Sequence, residues 1–158
     1  MGRLQMNTSI LIIAGSETTA TLLSGLTYLL LTNPDAMKKL AAEIRTTFES
    51  EDEITMASAA NLPYMHACLN EALRRYPPGA SGFPRVVPKG GANIAGTFVP
   101  EETVVAVWHY AAYHSTRNWS DPFSFTPERF LEGGKNEEDK MESLQPFSVG
   151  PRNCIGRK

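Results

Sequence analysis

Phe147-Ser148-Val149-Gly150-Pro151-Arg152-Asn153-Cys154-Ile155-Gly156 sets a cysteine in a loop between two glycines, with an arginine two residues before it. Glycines at 150 and 156 permit dihedrals closed to other residues. The plain reading of such a loop is an ordinary free thiol. One other cysteine, Cys68, is present, and two are too few for a disulfide-stapled secreted scaffold, so reduced thiols in a cytosol-facing protein are expected. The 158 residues are 42% hydrophobic with a net charge of −2, enough apolar surface for one globular domain or a piece of one, and too much for a disordered chain. Fifteen basic residues stand against seventeen acidic ones with no basic stripe, which argues against a nucleic-acid partner.

Upstream of the loop, Glu132-Gly133-Gly134-Lys135-Asn136-Glu137-Glu138-Asp139 reads as an irregular, solvated surface stretch. Between Gly79 and Pro100 the chain is punctuated by Gly and Pro. Arg85-Val86-Val87, Asn93-Ile94-Ala95 and Thr103-Val104-Val105-Ala106-Val107 read as short strands of a small sheet. The 61–76 segment predicts a helix opening near Asn61-Leu62-Pro63, with Met65, Cys68, Leu69, Ala72, Leu73 and Tyr76 on one stripe, stopped by Pro77-Pro78. Before it, Asn33 is an expected N-cap and Pro34 the first residue of a helix. Met37, Leu40, Ala41, Ile44 and Phe48 form its apolar face, and Lys38, Lys39, Glu43 and Arg45 its outer face. Glu49 to Glu53 reads as a solvated turn. The apolar stretch from Ser9 continues too far for a signal peptide. It carries too many hydroxyls (Thr18, Thr19, Thr21, Ser24, Thr27, Thr32) and too central an acid, Glu17, for a comfortable membrane span. A long, largely buried helix ending at Asn33-Pro34 is expected.

The Phe-x-x-Gly-x-Arg-x-Cys-x-Gly pattern of residues 147–156 resembles the haem-thiolate loop of the cytochrome P450 monooxygenases. Five fixed positions arise by chance in a chain of this length on the order of once in ten thousand or less. The resemblance implies Cys154 as axial ligand of a haem b iron, Phe147, Gly150 and Gly156 shaping the loop, and Arg152 facing a haem propionate. Glu71-Ala72-Leu73-Arg74 is similar to the family's Glu-x-x-Arg, whose charges share a helix face at i and i+3. Alone the pattern is weak, since Glu71 could pair with Arg75 at i+4 as a surface bridge of about 0.3–0.5 kcal/mol. Pro127-Glu128-Arg129-Phe130 resembles the segment whose arginine joins that pair in a buried network, implying that Glu71, Arg74 and Arg129 form a structural, non-catalytic lock on the haem-side core. Ala14-Gly15-Ser16-Glu17-Thr18-Thr19 is similar to the oxygen-activating segment of the family's long central helix, where Glu17 and Thr18 would relay protons. A mid-helix Thr18 could equally bond back to the Ala14 carbonyl and bend the helix. Arg85 sits where many relatives place a second propionate-binding arginine, and Gly79 to Phe83 where they line the substrate pocket. His66, His109, His114 and Cys68 read as structural, the histidines lacking metal-ligand spacing.

The resemblance therefore implies a mainly α fold with a small β-sheet, a partial cytochrome P450 domain over residues 1–158. The N-terminal half and the helix after the cysteine loop are expected outside it. By family, the parent would be a monooxygenase hydroxylating a small hydrophobic substrate with O2 and electrons from NADPH through a reductase. It would be anchored on the cytosolic face of the endoplasmic reticulum by an N-terminal segment outside these residues. Ala-Gly-Ser-Glu-Thr-Thr and Arg-Tyr-Pro-Pro-Gly look most like filamentous-fungal secondary-metabolism members, isotrichodermin-hydroxylase-like proteins among them. The 158 residues alone are expected to fold poorly, with apolar helix faces exposed. Two rival readings are a haem-binding remnant without turnover and a redox thiol protein using Cys68 and Cys154, the latter disfavoured by the absence of Cys-x-x-Cys spacing.

Overall fold

A computed structural model describes residues 2–134 and 136–157; Met1, Lys135 and Lys158 lie outside the described residues. Five helices run in order: α1 (Gly2–Thr32), α2 (Pro34–Thr47), α3 (Met56–Ala59), α4 (Pro63–Arg75) and α5 (His109–Tyr113). Between α4 and α5 lie four short strands: β1 (Arg85–Val86), β2 (Ala92–Ile94), β3 (Thr97–Val99) and β4 (Val104–Val105). From residue 114 onward the chain is irregular apart from short 3₁₀ turns, including Pro127–Phe130 and Gly150–Arg152. The fold is mainly helical with a small antiparallel β component, as expected.

The α1–α2 break falls at Asn33, whose φ of −127° and ψ of 78° leave the helical region as a residue before proline must. Asn33 occupies the cap position, but its side-chain amide donates backwards to the Leu29 carbonyl at 2.7 Å and makes no cap bond to α2. The core forms where the last turns of α1 meet α2 and α4: Leu26, Leu29 and Leu30 pack with Ala36, Leu40, Tyr64, Cys68 and Ala72. Gly25 permits this approach, since a Cβ there would lie 2.5 Å from Tyr76 Cδ1. The expectation of a largely buried α1 holds only for this end. Over its first twenty residues every described position is exposed, Leu4, Ile10, Leu11, Ile12 and Ile13 included, because among the described residues nothing packs closely enough against that length to bury it. By length and mean hydropathy α1 could cross a membrane, although Glu17 stands at its middle. Four of its six threonines, Thr8, Thr18, Thr27 and Thr32, each donate to the carbonyl four residues back.

Two charges expected on the outer face of α2 are tertiary contacts instead. Glu43 accepts the Tyr64 and Met65 N–H groups at 2.7 and 2.9 Å, placing a carboxylate at the N-terminus of α4 where free N–H groups and the helix dipole favour it. Lys39 donates to Glu128 at 2.6 Å. A helix not foreseen, α3, is set by a reciprocal Thr55–Ser58 capping box. The small sheet is two separate ladders: β1 pairs with β4 (Arg85↔Val105) and β2 with β3 (Asn93↔Phe98). Ala95, expected in a strand, is instead the first residue of a two-residue turn with Gly96. Both have positive φ (50° and 84°), the twist that a tight hairpin needs.

Candidate functional site

The deepest charges in the molecule lie under α4. Glu71 and Arg74 have fully buried side chains and pair bidentately, Arg74 Nε to Oε2 at 2.8 Å and Nη2 to Oε1 at 2.7 Å. Glu71 does not reach for Arg75, which instead contacts His114 Nε2 at 2.8 Å. Arg74 also donates to the carbonyls of Tyr113, Pro122 and Ser124, and Glu71 accepts the Thr126 N–H at 3.0 Å. Arg129 approaches the same carboxylate at 3.3 Å and pairs on its far side with Asp139. Trp119, 1% exposed, lies under both guanidiniums, with Arg74 5.2 Å and Arg129 5.8 Å from its ring centre. Four charges and an indole thus bind α4, the 3₁₀ turn 127–130 and the chain on either side of it.

Asp139 corrects the sequence expectation. In a run that reads as solvated, this residue is 2% exposed and ties the irregular stretch into the core. Burial pushes its carboxyl upward, but the Ser120 N–H and hydroxyl, with Arg129, outweigh burial and hold it below its ordinary value of 3.8. On acidification the unfolded chain therefore takes up the proton first. The stabilisation is complete above the ordinary value and is lost as pH falls through the folded one. Asp139→Asn is expected to be less stable near neutrality and to show a shallower loss of stability below about pH 4. Urea titrations at a series of pH values check this, and parallel curves for the two proteins would refute it.

Beside α4, whose Leu73 lines it, opens a cavity of about 480 Å³, within the size range of cofactor sites. The middle of α1 lines one side through Ala14, Thr18 and Leu22; Gly79, Phe83 and Arg85 line another; Phe147, Arg152 and Cys154 complete it. Five sequence-predicted residues, Thr18, Arg85, Phe147, Arg152 and Cys154, thus share one cavity although they span most of the chain. Glu17, Gly150 and Gly156 are not in its lining. Gly150 shapes the loop from behind with a φ of 78°, and Gly156 lies beside the cysteine, where a Cβ would come to 3.8 Å from Sγ. Thr18 makes the back-bond to Ala14 at 2.7 Å while also lining the cavity. Cys154 is exposed and its N–H donates to the Phe147 carbonyl at 2.8 Å.

The other groups read as structural have structural surroundings. His109 contacts the Gly79 carbonyl at 2.9 Å and borders the cavity. Cys68 is fully buried, and burial with the nearby Glu128, Glu43 and Glu71 pushes its thiol up to about 12. A thiol so placed is a poor redox partner for Cys154. Sequence reasoning missed Asp139, Trp119 and Glu43. Only Trp119 carried a signal, as a large aromatic in a polar, Pro-rich segment.

The fit of the lining to a haem follows from its chemistry. It offers one soft sulfur ligand, two arginines for a pair of carboxylates and mostly apolar walls, with Thr18, Thr19, His109 and Ser148 as the other polar groups. The sequence model of the cytochrome P450 family matches residues 1–158. A cytochrome P450 monooxygenase, tpeC of Talaromyces stipitatus, is 58% identical over 147 residues, covering 93% of this chain and 29% of that relative. Cytochrome P450 monooxygenase astA of Talaromyces wortmannii is 58% identical, over 98% of this chain and 31% of its own length. Cytochrome P450 monooxygenase 1 of Neocamarosporium betae is 54% identical, over 99% of this chain and 32% of its own. The chain spans about 30% of the length of these curated relatives. With the family match running from the first residue to the last, the chain belongs to the cytochrome P450 family.

Proposed function

We propose that residues 1–158 form the haem-holding part of a monooxygenase that hydroxylates a small hydrophobic substrate. The observation that carries this reading is the convergence of Cys154, Arg152, Arg85 and Thr18 on one apolar cavity. Cys154 would bind the iron, Arg85 and Arg152 the two propionates, and Phe147 the macrocycle face, with Gly150 and Gly156 giving the loop its turn. When bound, haem supplies oxygen activation: one atom of O2 enters a substrate C–H bond and the other leaves as water, with two electrons from NADPH delivered by a reductase and two protons taken up. The chain's part would be to present the Cys154 sulfur and the Thr18 hydroxyl to the same cavity. Thr18, already donating to Ala14, keeps its lone pairs free to accept a proton-bearing partner in the cavity, and Glu17 one residue earlier would recharge that path from solvent. Gly79 and Phe83 would border the substrate. For the whole protein we place the site on the cytosolic face of the endoplasmic reticulum membrane.

The test is the ferrous–carbon monoxide difference spectrum of the haem-reconstituted protein beside Cys154→Ser. A red-shifted Soret band present in the first and abolished in the second is expected. A band that survives the substitution would remove Cys154 from the iron. NADPH-dependent oxygen consumption with a reductase then separates turnover from haem binding alone.

A further inference from the structure

Tyr113 is fully buried at the end of α5 and is hydrogen-bonded at both of its ends. Its carbonyl accepts Arg74 Nη1 at 2.8 Å, and its hydroxyl oxygen accepts the Gln145 N–H at 3.0 Å. Between them its ring stacks on His109, 5.3 Å centre to centre and 13° between planes, and His109 borders the cavity. The Gln145 carbonyl then accepts the Ser148 N–H at 3.0 Å, and the Phe147 carbonyl accepts the Cys154 N–H at 2.8 Å. Among the described residues, the Tyr113–Gln145 bond is the one hydrogen bond joining residues 145–157 to any residue before 142. The loop bearing Cys154 is otherwise held by its own short-range bonds, and from Val149 to Arg157 it is exposed.

We propose that Tyr113 is a positioning residue for Cys154, its hydroxyl pinning the entrance of the cysteine loop to the buried Glu71–Arg74 cluster and so setting where the sulfur stands in the cavity. The proposal rests on Cys154 being the iron ligand. A phenylalanine at 113 keeps the ring, its stacking and the main-chain bond to Arg74, and removes only the acceptor for Gln145. The loop then loses its fixed entrance, and sulfur samples positions from which it ligates poorly.

The experiment compares the full protein with its Tyr113→Phe and Tyr110→Phe variants. Tyr110 lies on the same short helix with its side chain half exposed, and serves as the control. In the haem-free protein, exchange of the Gln145 amide hydrogen is expected to be about tenfold faster in Tyr113→Phe and unchanged in Tyr110→Phe. In the haem-loaded protein, the ferrous–carbon monoxide spectrum of Tyr113→Phe is expected to shift several-fold from the red-shifted thiolate band toward a shorter-wavelength one, with helical circular dichroism retained. A merely structural tyrosine would lower the melting temperature and leave the spectral form of the folded fraction as it was. An unchanged band ratio in Tyr113→Phe overturns the positioning role alone, whereas no thiolate band in the unmodified protein overturns the Cys154 reading with it. Should Tyr113→Phe fail to fold, the unmodified protein still decides: an unprotected Gln145 amide refutes the bond on which the proposal stands.

Discussion

Glu71→Ala is expected to lower the unfolding free energy by about 3–5 kcal/mol, the range for breaking a buried ion pair from one side. The carboxylate is fully buried and touches Arg74 bidentately, Arg129 at 3.3 Å and the Thr126 N–H at 3.0 Å. Alanine would leave two guanidiniums facing each other without the anion between them. Arg74 would keep its three carbonyl partners and Arg129 would keep Asp139, so the residual cost is repulsion and an unmatched charge rather than lost hydrogen bonds alone. Glu71→Gln, which keeps one acceptor and the shape, should cost less than alanine. A domain of this size has only about 5–15 kcal/mol to lose, so Glu71→Ala removes a large share of the total. Urea denaturation followed by far-ultraviolet circular dichroism measures the difference. A loss below about 1 kcal/mol would place the pair with solvent-screened surface bridges.

Trp119→Ala should cost a comparable amount, about 3–5 kcal/mol, for a different reason. The indole is the largest fully buried side chain, and its removal opens a void between two cations that both lie over its face. Burial strengthens that attraction, to about 2 kcal/mol for a desolvated cation. The indole Nε1 has no hydrogen-bond partner among the described residues. Trp119→Phe therefore gives up volume and some of the cation attraction but no hydrogen bond, and should retain most of the stability that alanine loses. If phenylalanine and alanine prove equally damaging, the ring's position over the guanidiniums is not what matters.

The three long helices, α1, α2 and α4, were readable because their signals are local. Proline at 34 and 63 opens two of them, Pro77-Pro78 closes the second, and the i, i+3, i+4 recurrence of apolar residues marks the faces that meet in the core. The cysteine loop was readable for another local reason, since five fixed positions at set spacing leave few alternatives. Glu71 with Arg74 was legible as a pair from spacing, whereas its burial was implied by the family resemblance and not by spacing. At i and i+3 the same two residues form a surface bridge on most helices, and only the carbonyls of Tyr113, Pro122 and Ser124 closing over Arg74 make the difference.

What the sequence could not decide were contacts between residues far apart along the chain. Glu43 looks like any acid on a polar helix face until the N-terminus of α4 is placed against it. Asp139 is one of three consecutive acids, Glu137, Glu138 and Asp139, and only the position of Arg129 and Ser120 selects it for burial. The outer two-thirds of α1 has the composition of a buried helix and yet is exposed, because burial depends on what lies alongside and composition reports only what a face could bury. Residue types, periodicity and turn chemistry act over a few positions and so determined the elements and the cysteine loop. Distances across the fold depend on how those elements pack, and it was packing that brought Thr18, Arg85 and Cys154 to one cavity and tied Tyr113 to Gln145.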